Sequence, residues 1–145
     1  MTVNETEIVD NPSEWVNEHI RRYVDSDGEN GHDWRGVKTL LLTTLGRKSG
    51  QWRRTALIYG RDGDRFVVVA SKGGAPQHPA WYLNLVDHPQ VQVQVGADKF
   101  TAQARTASPQ QKAKLWSQMA TIWPDYDGYQ ERTSRDIPVV ILERA

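Results

Sequence analysis

From residue 13 onward the chain switches between two hydrophobic periods, and the switches mark out its elements. Trp15, His19/Ile20 and Tyr23/Val24 recur at helical spacing behind Ser13, a residue type that caps helix N-termini, so a helix is expected over 14–24. The polar stretch DSDGENGHDW (25–34) reads as a loop. At Val37 the period drops to two. VKTLLLTTLG reads as a strand, RKSGQ as its turn, WRRTALIYG as a second strand and RFVVVAS as a third, with RDGD as a tight hairpin bending at Asp62-Gly63. These three strands are expected to run antiparallel in succession. PAWYLNLVD (79–87) reads as a short helix that tolerates proline in its first turn and ends at His88-Pro89. VQVQV and KFTAQART alternate around a turn at 96–98, giving a second hairpin. Ser108-Pro109 opens a helix to Ile122, Pro124 interrupts it, a short helix is expected over 127–133, and a sixth strand over 137–142. Six mainly antiparallel strands with a few flanking helices make an α+β fold whose sheet curls into a small barrel. Strands and helices do not alternate, which argues against a Rossmann fold.

Composition narrows the class. In 145 residues there is no internal repeat, so one domain is expected over 1–145, with 1–12 acidic and mobile, 13–34 helix and loop, and 37–142 the sheet core. A chain of this length buries roughly 70% of its unfolded surface and needs no staple. There is no cysteine, which excludes disulfides, thiolate metal sites and a cysteine nucleophile; the four histidines lack ligand spacing, so no metal is expected. Neither a signal peptide nor an apolar run of ~20 residues is visible. The cytoplasm is therefore the expected location, with peripheral contact at a membrane left open and a monomer or weak dimer as the expected state.

Charge balances overall, 18 Lys/Arg against 18 Asp/Glu, but not locally. Residues 35–61 hold seven basic and no acidic side chains, while the first 34 hold nine acidic and two basic. Arg47, Lys48, Ser49, Arg53 and Arg54 crowd one turn, and Ser71 and Lys72 sit in a second glycine-rich turn one strand later. Guanidinium forks and glycine-exposed main chain are what an anion needs. A localised field suits a phosphorylated small molecule better than a nucleic acid, and no aromatics interleave with the cations on a strand face. GRKSG lacks P-loop spacing. The bland alternative is a solvated hairpin tip. Likewise, Asp125 and Asp127 around Tyr126 suit capping and turns better than a catalytic carboxylate pair, and Trp116, Met119 and Trp123 read as a core stripe.

The run TLGRKSGQWRRTALIYGRDGDRFVVVASKGGAPQHPAWYLNLVDHPQVQVQVG, with the ending WPDYDGYQERTSRDIPVVIL, resembles the deazaflavin-dependent nitroreductase family, actinobacterial reductases that use coenzyme F420. The resemblance implies a split β-barrel similar to flavin-reductase and FMN-binding proteins. It implies that Arg47, Lys48, Ser49, Arg53, Arg54 and Thr55 hold the coenzyme's phosphate and glutamyl tail, and that Ala56, Leu57 and Ile58 line its ring. Ala70, Ser71 and Lys72 match the segment that closes over the coenzyme, and Ala80, Trp81, Tyr82 and Asn84 match the flanking helix. Trp123, Tyr126 and Tyr129 fall on the acceptor side, with Tyr126 and Ser71 as catalytic candidates. Trp123 replaces a tyrosine of some nitroimidazole-activating members.

The implied reaction is hydride transfer from reduced F420 to planar electron-poor acceptors: quinones, enones, coumarin-like lactones or nitroaromatics. Such chemistry needs a protein to orient rings, hold a charged tail and exclude water, and a chain without cysteine suffices. An FMN-dependent reductase, or a non-catalytic flavin or F420 carrier on the same barrel, is the alternative.

Overall fold

The computed structural model describes residues 5–145. In chain order the elements are β1 (Ile8–Val9), α1 (Glu14–Asp25), β2 (Asp33–Trp34), β3 (Val37–Leu45), β4 (Trp52–Ile58), β5 (Gly60–Asp62) and β6 (Arg65–Val69). There follow α2 (Ala80–Asp87), β7 (Gln90–Val95), β8 (Asp98–Thr106), α3 (Pro109–Ile122), α4 (Asp125–Glu131) and β9 (Val139–Arg144). Local chemistry explains the helix ends. The Ser13 hydroxyl accepts from the Val16 amide at the start of α1, and Ser108 and Gln111 form a reciprocal capping box at α3. Pro124 separates α3 from α4, which begins at Asp125 rather than at the expected residue 127.

The architecture is a mixed α+β fold around one large sheet, ordered β1-β4-β3-β7-β8-β9-β6-β5, with β2 paired to β3. Alternation decides the layers. Leu40, Leu42, Val91, Val93, Ala102, Ala104, Phe66, Val68, Val140 and Leu142 share the inner face and bury together with Leu85 of α2. The opposite face carries Val67, Val69, Val139 and Ile141 against Leu115 and Met119 of α3, and Leu41 against Ile20 and Tyr23 of α1.

The expected strand number and closure of the sheet are corrected. The sheet has nine strands, not six: the six long segments are all strands, and β1, β2 and β5 are short additions. The path is not closed, because it ends at β1 and β5. The expected hairpin at RDGD is present, but β5 forms it with β6 and the strand leading into it is split from β4. The chain breaks after Ile58, where the Tyr59 amide donates to the Lys38 carbonyl, and β5 alone turns back on β6 through Gly63-Asp64. α3 comes close at Gly60, where a Cβ would stand 2.7 Å from Met119 Sδ. β6 pairs instead with β9. Finally, residues 1–12 were expected to be mobile; residues 1–4 lie outside the described residues, but Ile8 and Val9 pair in parallel with Trp52 and Arg53. Among the described residues no helix is long and apolar enough to cross a membrane, and no cluster of potential metal ligands occurs.

Candidate functional site

β4 and β6 approach one another without pairing, and a cleft of about 470 Å³ opens along that seam. Its volume lies within the range of ordinary small-ligand sites, roughly 300–1,000 Å³. One wall is Ala56, Leu57 and Ile58 of β4. Val69, Ser71, Lys72 and Gly73 follow at the end of β6, and Pro79 and Trp81 add the start of α2. Trp123, Tyr126 and Tyr129 close the α3–α4 side. The structure thus gathers nine of the residues named from the sequence around one space, from four separate segments of chain.

The turn after β6 is built for close approach. Ser71 is right-handed (φ −80°, ψ −39°), and Lys72, Gly73 and Gly74 are left-handed at φ 47°, 62° and 82°. A right-then-left-handed pair turns successive N–H groups to one side and makes an anion-holding concavity. Lys72 adopts a conformation that L residues avoid. Gly74 is obligatory, since a Cβ there would meet the Tyr129 carbonyl oxygen at 2.6 Å.

On the opposite side, Tyr126 is buried and Tyr129 stands edge-on to it, ring centroids 6.1 Å apart. Burial first, and the Tyr129 hydroxyl second, push the Tyr126 phenol well above its ordinary pKa, so it keeps its proton. Trp123 touches Trp34 at 5.7 Å and its indole N–H points at the Tyr129 hydroxyl, 3.5 Å away.

Other residues named from the sequence lie outside the lining. Arg54 forms a forked pair with Glu5 at 2.6 and 2.9 Å and lines a separate small hollow with Thr43, Gln94 and Lys99. Its Nε is buried without a partner. The pair holds Glu5 below the usual carboxylate range through the Arg54 hydrogen bond, against a smaller opposing effect of burial. Tyr82 turns away from the cleft and hydrogen-bonds Thr106 at 2.8 Å. Ala70 is fully buried, Ala80 is exposed, and Thr55 is half-buried opposite Leu42. Asn84 is a strut: its Oδ1 accepts from the Arg47 amide and guanidinium, and its Nδ2 donates to Thr44. Because Trp81 and Asn84 stand one helical turn apart, α2 links the cleft to the β3–β4 turn. That turn exposes Lys48, with Ser49 accepting from the Gln51 amide and Arg53 exposed just beyond it.

Sequence reasoning missed the α1 wall and the clamp on the β6–α2 loop. Trp15, Val16 and His19 line the cleft with Trp34 and Thr39. Helical spacing had marked Trp15 and His19 only as positions of an expected helix, which gives no hint of a ligand. His19 stands 3.5 Å from the Thr39 hydroxyl, and burial and then Arg22 lower its pKa. Arg135 was not singled out, yet it binds three carbonyls and a histidine of the β6–α2 loop.

Comparison with known proteins agrees with this geometry. A family model described as F420H(2)-dependent quinone reductase matches residues 15–144. An F420H(2)-dependent quinone reductase of Mycobacterium tuberculosis strain H37Rv is 40% identical over 145 residues, covering 91% of this chain and 97% of the relative. A solved F420-H2 dependent reductase, FDR-A, superposes with TM-score 0.67 at 38% identity, covering 72% of this chain and 93% of that one. A second solved structure, described as a domain-swapped dimer, reaches TM-score 0.71 at 35% identity over 92% of this chain and all of that one (100%). A match that spans both the β4–β6 seam and the α3–α4 wall leaves one assignment: this chain belongs to the F420H(2)-dependent quinone reductase family.

Proposed function

We propose that the chain reduces quinones at the expense of reduced F420, in the cleft along the β4–β6 seam. The observation that carries this reading is a slot with apolar walls that ends at a left-handed turn bearing Lys72. A planar ring fits the slot and an anionic group fits the turn. Reduced F420, when bound, supplies a hydride.

The chain's residues do the rest. Ala56, Leu57 and Ile58 offer an apolar wall to the ring, Trp81 flanks it, and Ser71 and Lys72 donate to the coenzyme's polar edge. Arg47, Lys48, Ser49 and Arg53 hold the anionic tail along the β3–β4 turn; Arg54, committed to Glu5, does not take part. Tyr126 keeps a proton that it donates to the acceptor oxygen as negative charge develops there. Trp123, Tyr129 and the α1 wall exclude water. In this reading the chain acts as a monomer or weak dimer within a single split-barrel domain. Enones, coumarin-like lactones and nitroaromatics share the planarity of quinones and belong to the same acceptor range.

The test is a titration of the purified protein with F420 and, separately, with FMN, followed by reoxidation of reduced F420 by a quinone. F420 should bind more tightly and quinone should discharge it. Lys72→Ala should raise the F420 dissociation constant about tenfold, as loss of a charge-assisted bond does, while Arg54→Ala should leave it within about twofold. Equal affinity for the two coenzymes, or no turnover with any quinone, sinks the reading.

A further inference from the structure

We propose that Arg135 is a positioning residue for the coenzyme side of the cleft: its guanidinium fixes the loop that presents Ser71 and Lys72. Nε donates to the Ala75 carbonyl at 2.8 Å, one terminal nitrogen to the Ala70 carbonyl at 3.2 Å and to His78 Nδ1 at 3.1 Å, and the other to the Ser71 carbonyl at 2.6 Å. Two of these acceptors lie before and two after the left-handed run of Lys72, Gly73 and Gly74. Guanidinium presents five N–H donors in a rigid fork, so a single side chain ties the whole connection from β6 to α2. The loop's own bonds are few: the Gly74 amide donates to Ser71 and the Ala75 amide to Lys72, at 2.9 and 3.1 Å. Two short turns do not by themselves hold Lys72 in a conformation that L residues avoid.

Arg135 is itself held from the acceptor side. Gln130 of α4 donates to the Arg135 carbonyl at 2.8 Å and accepts from the Ile137 amide at 3.0 Å, while the Arg135 amide donates to the Thr133 hydroxyl. The loop in turn packs on α4 at Gly74, where no Cβ fits beneath the Tyr129 carbonyl. Arg135 is therefore a strut between the helix that carries Tyr126 and Tyr129 and the loop that carries Ser71 and Lys72. Lysine cannot replace it, because one ammonium does not span four acceptors spread over nine residues.

The inference rests on the proposed role of the Ser71–Lys72 turn in holding F420. It is tested in full-length Arg135→Lys and Arg135→Gln. Amide hydrogen exchange without coenzyme should accelerate about tenfold or more at Gly74 and Ala75 and stay unchanged at Leu41 and Val93. The F420 dissociation constant should rise about tenfold in both variants, with kcat at saturating coenzyme and quinone within about threefold of the parent. Unchanged exchange at Gly74 and Ala75 overturns the proposal, and so does faster exchange with an unchanged F420 dissociation constant. If neither variant folds, His78→Phe removes one acceptor and leaves Arg135 in place. It should raise the dissociation constant about two- to fivefold, and an unchanged value again overturns the proposal. Failure of the parent protein to bind F420 is a different result: it removes the function, and exchange at Gly74 and Ala75 then decides the clamp alone.

Discussion

Tyr126 lies at the meeting point of α4 and the cleft, and burial raises its pKa, so the hydroxyl stays protonated and, in the proposed reaction, faces the acceptor as a hydrogen-bond donor. A quinone oxygen gaining electrons needs such a donor. Tyr126→Phe should keep F420 affinity and slow quinone turnover, since general-acid help of this kind is worth ~10² to 10⁴ in rate. Steady-state rates at saturating coenzyme decide it, and a loss well below tenfold hands the role to water or Ser71. Single residues also show where the sequence misleads. Arg53 and Arg54 read as one cationic cluster, but neighbours on a strand point to opposite faces. Arg54 faces the N-terminal segment, where Asn11 bonds its carbonyl and Glu5 its guanidinium. Arg135 was invisible for the opposite reason: three of its four partners are carbonyls, and a carbonyl leaves no mark on a sequence.

Among the elements, α1 depends on one hydroxyl. Tyr23 is wholly buried; it donates to the Thr39 carbonyl at 3.0 Å and accepts from the Gly96 amide at 2.7 Å, pinning α1 to β3 and to the β7–β8 turn. Tyr23→Phe strands both groups and should cost about 1–3 kcal/mol in urea unfolding at neutral pH. Burial raises the Tyr23 pKa to about 12, against a smaller opposing hydrogen bond from Gly96. A raised folded pKa means that the stabilisation is complete below pH 10 and is lost as pH rises toward 12. Parent and Tyr23→Phe unfolding curves, collected at pH 9 and 11, should therefore show the smaller pH loss in the variant. The long strands and all four helices were legible because period and caps are local signals. The break at Tyr59 was not, because apolar residues run through WRRTALIYG into the bend and no local signal separates β4 from β5.

At the scale of the molecule, the site occupies the place where the sheet fails to close. No periodicity announces that seam, since which strands pair at long range is decided by packing rather than by alternation within each. Charge did not mark it either: the first 34 residues line the cleft with Trp15, Val16, His19 and Trp34 and the segment 35–61 with Thr39, Ala56, Leu57 and Ile58, none of them the charged residues that set those segments apart. The two sides are separable in the chain. Trp15, Val16, His19 and Trp34 come from the first 34 residues, while the residues proposed to hold F420 lie between 47 and 81. Trp15 is 58% exposed at the rim, edge-on to Trp34 at 6.0 Å. Trp15→Ala should change the ratio of kcat/KM between a bulky and a small quinone by about fivefold and leave F420 affinity within about twofold. A parallel loss of coenzyme binding would show the two sides to be coupled. If they are not, lineages carrying this scaffold inherit their electron source and their choice of acceptor as independent traits, the first written in the middle of the gene and the second toward its two ends.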